Sequence, residues 1–138
     1  MTTPLTVEQV ERSLRRLLRG GKLSNIPKRQ TDRDILLALA AARLESDQPA
    51  DEADVNIALN EWLAGFCTPA IDHVTIRRHL VDYGYLRRDA PGRLYKVYAG
   101  RLDATITHEA RKIKPADIMT DLEAERASRK ADRNSNNA

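Results

Sequence analysis

The stretch IDHVTIRRHLVDYGYLRRDAPGRLYKV, residues 71–97, decides the fold. It opens with a short helix that Asp72 is placed to cap, because its carboxylate can accept the free backbone N–H groups of the first turn. At about 100° per residue, Ile76, Leu80 and Tyr83 fall on one apolar face of that helix. The first half of the stretch therefore predicts an amphipathic helix that packs through this face.

The second half of the stretch predicts a hairpin. Gly84 makes a tight corner after the helix, and a turn is expected at Pro91-Gly92. Two strands, Tyr85–Arg88 and Leu94–Tyr98, flank this turn. A helix followed by such a hairpin is typical of a winged helix-turn-helix, and we predict a mainly α fold with a small antiparallel β-hairpin.

Basic side chains are concentrated in this helix and hairpin. Residues 77–101 contain seven basic and two acidic residues, a local charge of +5. Arginine suits DNA recognition because its planar fork can bind phosphate or guanine through two hydrogen bonds. An alternative is a solvated basic face whose charges are neutralised within the chain, for instance by an Arg78–Asp82 pair. The residues predicted to contact DNA are Thr75, Arg77, Arg78, Arg87, Arg88, Arg93 and Lys96.

Charge is also segregated along the rest of the chain. The 138 residues carry a formal net charge of only +3, with a pI near 9.2. Residues 11–33 nevertheless have a net charge of +6 and residues 34–61 a net charge of −6. Such blocks produce charged surface patches, and a basic patch is typical of a protein that binds a polyanion. The alternative is that the acidic and basic segments neutralise each other within the fold.

Capping residues predict the helices around this unit. Thr6 with Gln9 forms a capping box for the first helix, Thr31 is expected to cap the second, and Asp51 opens a third that runs to about Phe66. A last helix is expected to begin near Pro115. The predicted organisation is an N-terminal amphipathic helix (residues 1–21), a winged-helix domain (22–101), and a C-terminal helix followed by a disordered tail from residue 127 (102–138).

Several classes of function find no support in the sequence. It contains no Ser-His-Asp order, glycine-rich phosphate loop or cysteine pair, and we predict neither an enzyme nor a bound cofactor. His73 and His79 are not at the i, i+4 spacing that lets two imidazoles share a metal, so no metal site is predicted. The single cysteine, Cys67, predicts a reducing cytoplasmic location, and no apolar run approaches the roughly 20 residues of a membrane span.

Five short motifs are spread across residues 22–98. They are Ile26-Pro27, Arg33-Asp34-Ile35-Leu36, Glu52-x-Asp54-Val55-Asn56-x-x-Leu59, the run from Asp72 to Arg88, and Gly92-x-x-Tyr95. In this order they resemble an uncharacterised bacterial family, the domain of unknown function two-thousand-eighty-seven. The family is regarded as winged-helix-like and is often attached to ArsR-type repressor domains, so the resemblance implies a bacterial regulatory setting. Residues 1–21 predict one helix in place of such a repressor domain.

These observations together predict a small DNA-binding transcriptional regulator that uses a winged helix-turn-helix. Its expected partners are double-stranded DNA and a second copy of the chain, docked through the N-terminal or the C-terminal helix. The alternative is a winged-helix module for protein–protein interaction or dimerisation that does not bind DNA.

Overall fold

A computed structural model of the chain describes residues 3–91 and 93–136. The structure is mainly helical with a small antiparallel sheet, which confirms the predicted fold class. A single 3-10 turn, Ala110–Lys112, joins the last two helices. In chain order the elements are α1 (Val7–Leu18), α2 (Gln30–Leu44), β1 (Ala50–Asp51), α3 (Glu52–Ala64), α4 (His73–Asp82), β2 (Leu86–Arg88), β3 (Leu94–Val97), α5 (Ala99–Thr105) and α6 (Pro115–Asn136).

The sheet has the strand order β1-β3-β2, and both pairings are antiparallel. The two-residue β1 precedes α3 in the chain, yet it pairs with β3 through the register Ala50↔Tyr95. The order α2-β1-α3-α4-β2-β3 is thus the order of a winged helix, with the β2–β3 hairpin as its wing. In the turn of the wing, Asp89 Oδ1 accepts the N–H groups of Arg93 and Leu94 at 2.8 and 3.1 Å. Gly92, part of the predicted turn, lies outside the described residues.

Three of the four predicted caps are present. Asp51 Oδ1 accepts the N–H of Asp54 at 2.8 Å, Asp72 Oδ1 accepts that of Thr75 at 2.8 Å, and the capping box of Thr6 is complete. The predicted cap at Thr31 is wrong. Helix α2 begins at Gln30, two residues before the start that a cap at Thr31 implies, and its first turn is closed by the backbone hydrogen bond from Arg33 to Arg29. Helix α3 ends at Ala64, two residues before the predicted end.

Helix α2 forms the centre of the core, and residues 35–41 are all buried. Helix α4 packs on this core through Ile76 and Leu80, as predicted. Tyr83, expected on the same face, is instead 37% exposed, because α4 ends at Asp82 and the ring lies under the Arg33 guanidinium at 4.4 Å.

Helix α1 packs along α6. Its buried side chains are Val10, Leu14 and Leu18, and those of the facing helix include Met119 and Leu122. The apolar side of α1 is therefore covered within one chain. Dimerisation through the terminal helices stays a prediction, but the apolar side of α1 no longer supports it because α6 covers that side.

The region after the wing is more ordered than the sequence predicted. Helix α5 and the 3-10 turn were not anticipated. Helix α6 begins at Pro115 as expected, but it continues to Asn136, where a disordered tail had been predicted from Ala127. Alanine, arginine and lysine favour a helix, and this preference outweighs the polar composition of the segment. No helix in the described part of the chain has the length and apolar content needed to cross a bilayer.

Candidate nucleic-acid interface

Helix α4 turns one side to the core and the other away from it. Ile76 and Leu80 are fully buried, whereas Arg78 is exposed and Val74 and Thr75 are half-buried. The N-terminus of the helix is held by Asp72, and hydrogen bonds from the Thr75 backbone and side chain lower the pKa of that carboxyl group. The cap therefore stays ionised at neutral pH and keeps the first turn of α4 in place.

Arg77, a predicted DNA contact, is bound within the protein. Its guanidinium lies 3.0 Å from the Glu52 carboxylate and donates a hydrogen bond to the Asn56 amide oxygen. It also lies 6.0 Å from the centre of the Tyr95 ring, and its side chain is only 14% exposed. Arg77 thus ties α4 to the first turn of α3 and to β3.

Arg78 and Arg88 line one groove between α4 and the wing, although they come from different elements. Neither guanidinium forms a hydrogen bond or an ion pair with another residue in the described part of the chain. The groove has a volume of about 300 Å³. We call it the α4–wing groove, and its lining residues are Glu52, Arg77, Arg78, Val81, Asp82, Arg88 and Tyr95.

The other predicted contacts in the strands lie on the opposite face of the wing. Successive strand residues point to opposite faces, so Arg87 faces away from its neighbour Arg88 and stands opposite Lys96. Like charges directly opposite each other destabilise a strand pair. Both cations have nearby partners: Arg87 lies 3.7 Å over the Tyr98 ring, and Lys96 donates a hydrogen bond to the Asp47 carbonyl oxygen at 3.3 Å.

The structure therefore separates the seven predicted residues. Arg77, Arg78 and Arg88 meet in the groove, Thr75 lies on α4, Arg87 and Lys96 lie on the outer face of the wing, and Arg93 is exposed next to its turn. The acidic residues of the groove, Glu52 and Asp82, reduce its net charge to +1. The groove is accordingly a mixed surface in which two of three arginines are unpaired. The alternative of a neutralised basic face applies to Arg77 but not to Arg78, which makes no ion pair with Asp82 in the described chain.

Sequence reasoning missed a polar cluster behind α4. The buried Tyr85 hydroxyl lies 3.1 Å from the Thr105 hydroxyl, and the Arg101 guanidinium lies 4.6 Å over the same ring. Arg101 also donates to the Tyr83 carbonyl oxygen and lies 3.4 Å from Asp34. The cluster joins α2, α5 and the end of α4, so it fixes where the wing begins. No local pattern reveals it, since the contacts that join Asp34, Tyr85 and Arg101 link segments far apart in the chain.

The two histidines of α4 have local roles. Nδ1 of His73 lies 3.0 Å from the Asn60 amide oxygen. Nδ1 of His79 donates a hydrogen bond to the Thr75 carbonyl oxygen at 2.8 Å. Each imidazole therefore has a hydrogen-bond partner that anchors α4 to α3 or to its own preceding turn.

Comparison with protein families finds one match. The family described as "Uncharacterized protein conserved in bacteria (DUF2087)" matches residues 22–97. No curated protein and no solved structure matches the chain. The family match covers more than half of the sequence and includes α2, the wing and both helices between them, and the chain therefore belongs to this bacterial family.

Proposed function

We propose that this member of the DUF2087 family binds duplex DNA through α4 and the wing and acts in transcription regulation. The observation that carries the proposal is the pair Arg78 and Arg88. They come from the recognition-helix position and from the wing, they line one groove, and neither guanidinium forms a hydrogen bond or an ion pair in the described chain. Two adjacent unpaired guanidinium groups have no evident structural role, but they suit contact with an external anion.

The position of α4 supports contact with bases as well as with phosphates. In helix-turn-helix proteins the second helix of the motif lies in the major groove, and its N-terminal residues reach the base edges. Here that helix is α4, and its outward side bears Val74, Thr75 and Arg78. A threonine methyl group can contact a thymine methyl, and an arginine can bind guanine through two hydrogen bonds. Val74 adds an apolar contact of the kind that packs against thymine.

Local charge predicts that binding is moderate and depends only weakly on salt, because the salt dependence scales with the number of phosphate contacts. The helix before the recognition helix crosses the DNA backbone in this class of motif. The corresponding helix, α3, is capped by Asp51 and carries Glu52 and Asp54 in its first turn, and carboxylates there repel phosphates. The unpaired arginines must outweigh this repulsion, so the affinity depends on a small number of phosphate contacts.

Fluorescence anisotropy with a labelled 20-base-pair duplex tests the proposal. Arg78→Ala and Arg88→Ala should each weaken binding. Arg88→Ala, which loses a phosphate contact from the wing, should also reduce the slope of log Kobs against log salt by about 0.9. Lys112→Ala is the matched control, because this exposed cation lies on the 3-10 turn outside the α4–wing groove. If both arginine variants bind as the wild type does, the groove is not the DNA-binding surface.

A second candidate function is protein–protein interaction without DNA binding. The acidic first turn of α3 favours it, because it places negative charge where DNA would approach. The ion pair with Glu52 also favours it, because it neutralises the charge of Arg77. In that case the wild-type protein should show no binding to the duplex even at 50 mM salt. A change in sedimentation coefficient with protein concentration would then identify self-association as the interaction.

A further inference from the structure

The second half of α6 buries none of its described side chains. Leu122 is its final buried residue in the described chain, and every described side chain of residues 123–135 is exposed. The contacts with α1 continue for one further turn: Glu125 forms an ion pair with Arg15 at 2.6 Å, and Arg126 donates to the Arg19 carbonyl oxygen. Beyond that turn the helix projects with both flanks in solvent.

Four cations occupy one side of this projecting helix. Their spacing is i, i+3, i+4 and i+7, which places them within an arc of about 100°. Their side chains line a single surface depression. We call this surface the α6 basic face, and its residues are Arg126, Arg129, Lys130 and Arg133.

The acidic residues nearby neutralise this face only in part. Asp132 lies on the flank of the helix. Glu125 forms an ion pair with Arg15, and its pKa is lowered chiefly by the hydrogen bond from Arg15 and also by the charge of Arg129. Residues 126–135 contain four basic and one acidic residue, a net charge of +3. The α6 basic face therefore carries more net positive charge than the α4–wing groove, whose net charge is +1.

The remaining sides of the helix restrict the kind of partner. They carry small and polar residues, among them Ala127, Ser128, Ala131 and Asn134. A helix that lies on a membrane needs a broad apolar face with large side chains, and a helix that packs in a coiled coil needs a repeated apolar seam. Neither is present, so attraction of charge is the interaction that this segment can offer.

We propose that the α6 basic face binds the phosphate backbone of duplex DNA and forms a second contact surface in addition to the α4–wing groove. Three of its four cations are arginines, whose forks match phosphate geometry. Residues 126–133 span about 10 Å along the helix axis, and a duplex presents one phosphate charge per about 1.7 Å. Several phosphates thus lie within reach at once. The inference rests on the proposed DNA binding and assigns part of its affinity to a surface outside the winged helix.

The test uses the full chain with the substitutions Arg129→Gln, Lys130→Gln and Arg133→Gln combined. Glutamine preserves helix propensity, and Arg126 is left in place because it contacts α1. The control combines Lys28→Gln, Lys112→Gln and Lys114→Gln, which remove the same charge from exposed positions outside both surfaces. Circular dichroism checks that both triple variants keep their helix content.

Loss of three phosphate contacts should reduce the salt slope by about 2.7, which corresponds to an affinity ratio between 50 and 200 mM salt that is about 40-fold smaller than that of the wild type. The control should match the wild type. Equal slopes for the α6 variant and the control would overturn the inference and leave the groove proposal intact. Loss of binding in the α6 variant but not in Arg78→Ala and Arg88→Ala would support α6 and refute the groove. Binding of the wild type to phosphatidylserine vesicles but not to DNA, lost in the α6 variant, would overturn the choice of partner.

Discussion

Replacing Glu52 with glutamine removes the carboxylate that holds Arg77. The Glu52 carboxylate lies 3.0 Å from the Arg77 guanidinium, at the rim of the α4–wing groove. The substitution raises the net charge of the groove from +1 to +2 and leaves the Arg77 guanidinium with a weaker, neutral partner. If α4 and the wing face DNA, we expect Glu52→Gln to bind duplex DNA more tightly than the wild type.

The size of the effect follows from counting phosphates. One cation released to contact a phosphate steepens the salt slope by about 0.9, which makes the affinity ratio between 50 and 200 mM salt about 3.5-fold larger. The cost in stability is small, because Glu52 is 48% exposed and a surface ion pair contributes less than about 1 kcal/mol. Loss of a negative charge from the first turn of α3 adds a comparable amount.

The assay is anisotropy at 50, 100 and 200 mM salt, with urea unfolding to measure the stability of each variant. Glu109→Gln is the control. Glu109 is exposed and lies just before the 3-10 turn, so this substitution removes the same charge away from the α4–wing groove. A folded Glu52→Gln protein that binds DNA no better than Glu109→Gln would refute the reasoning. It would show that the first turn of α3 does not face the phosphates.

Two further predictions concern stability. Burial raises the pKa of Cys67 and of Tyr85 to about 12 each, so the folded protein keeps protons that the unfolded chain releases. The free energy of unfolding should therefore be constant with respect to these two groups below pH 9 and fall as the pH rises toward 12. Cys67 alone should account for a loss of about 3 kcal/mol at pH 11. Urea midpoints at pH 7, 9 and 11 measure this loss, which should be smaller in Cys67→Ala. Equal losses in the wild type and in Cys67→Ala would show that Cys67 is not the cause. Gly84→Ala should destabilise the fold by about 1–2 kcal/mol, because residue 84 has a φ of +85° that a side chain tolerates poorly. Gly20→Ala is the control for urea unfolding, since neither added methyl group meets an atom within 4 Å, and equal stabilities would show that the corner before β2 relaxes.

Short-range chemistry explains what could be predicted from the sequence. The caps at Thr6, Asp51 and Asp72 each join residues three positions apart, so local spacing is enough to find them. The same is true of the buried face of α4, because its helical period places Ile76 and Leu80 together. The order of helices and hairpin then restricts the fold to a winged helix.

Local patterns failed where a segment had competing tendencies. The polar composition after Ala127 indicated a disordered tail, but helix-favouring residues continue α6 to Asn136. The hydroxyl of Thr31 was available as a cap, yet a backbone hydrogen bond closes the first turn of α2 without it.

The sequence by itself determined the first four helices, the wing, the start of α6 and where positive charge is concentrated. Only the tertiary structure decided which cations are available. Arg77 and Asn56 are 21 residues apart in the chain, and the two-residue β1 exists as a strand only because β3 lies beside it. Neighbouring arginines on β2 look equivalent in the sequence, but the alternation of a strand sends Arg87 to one face and Arg88 to the other. Whether a charge meets a partner depends on contacts between distant segments, and these form only when the chain has folded.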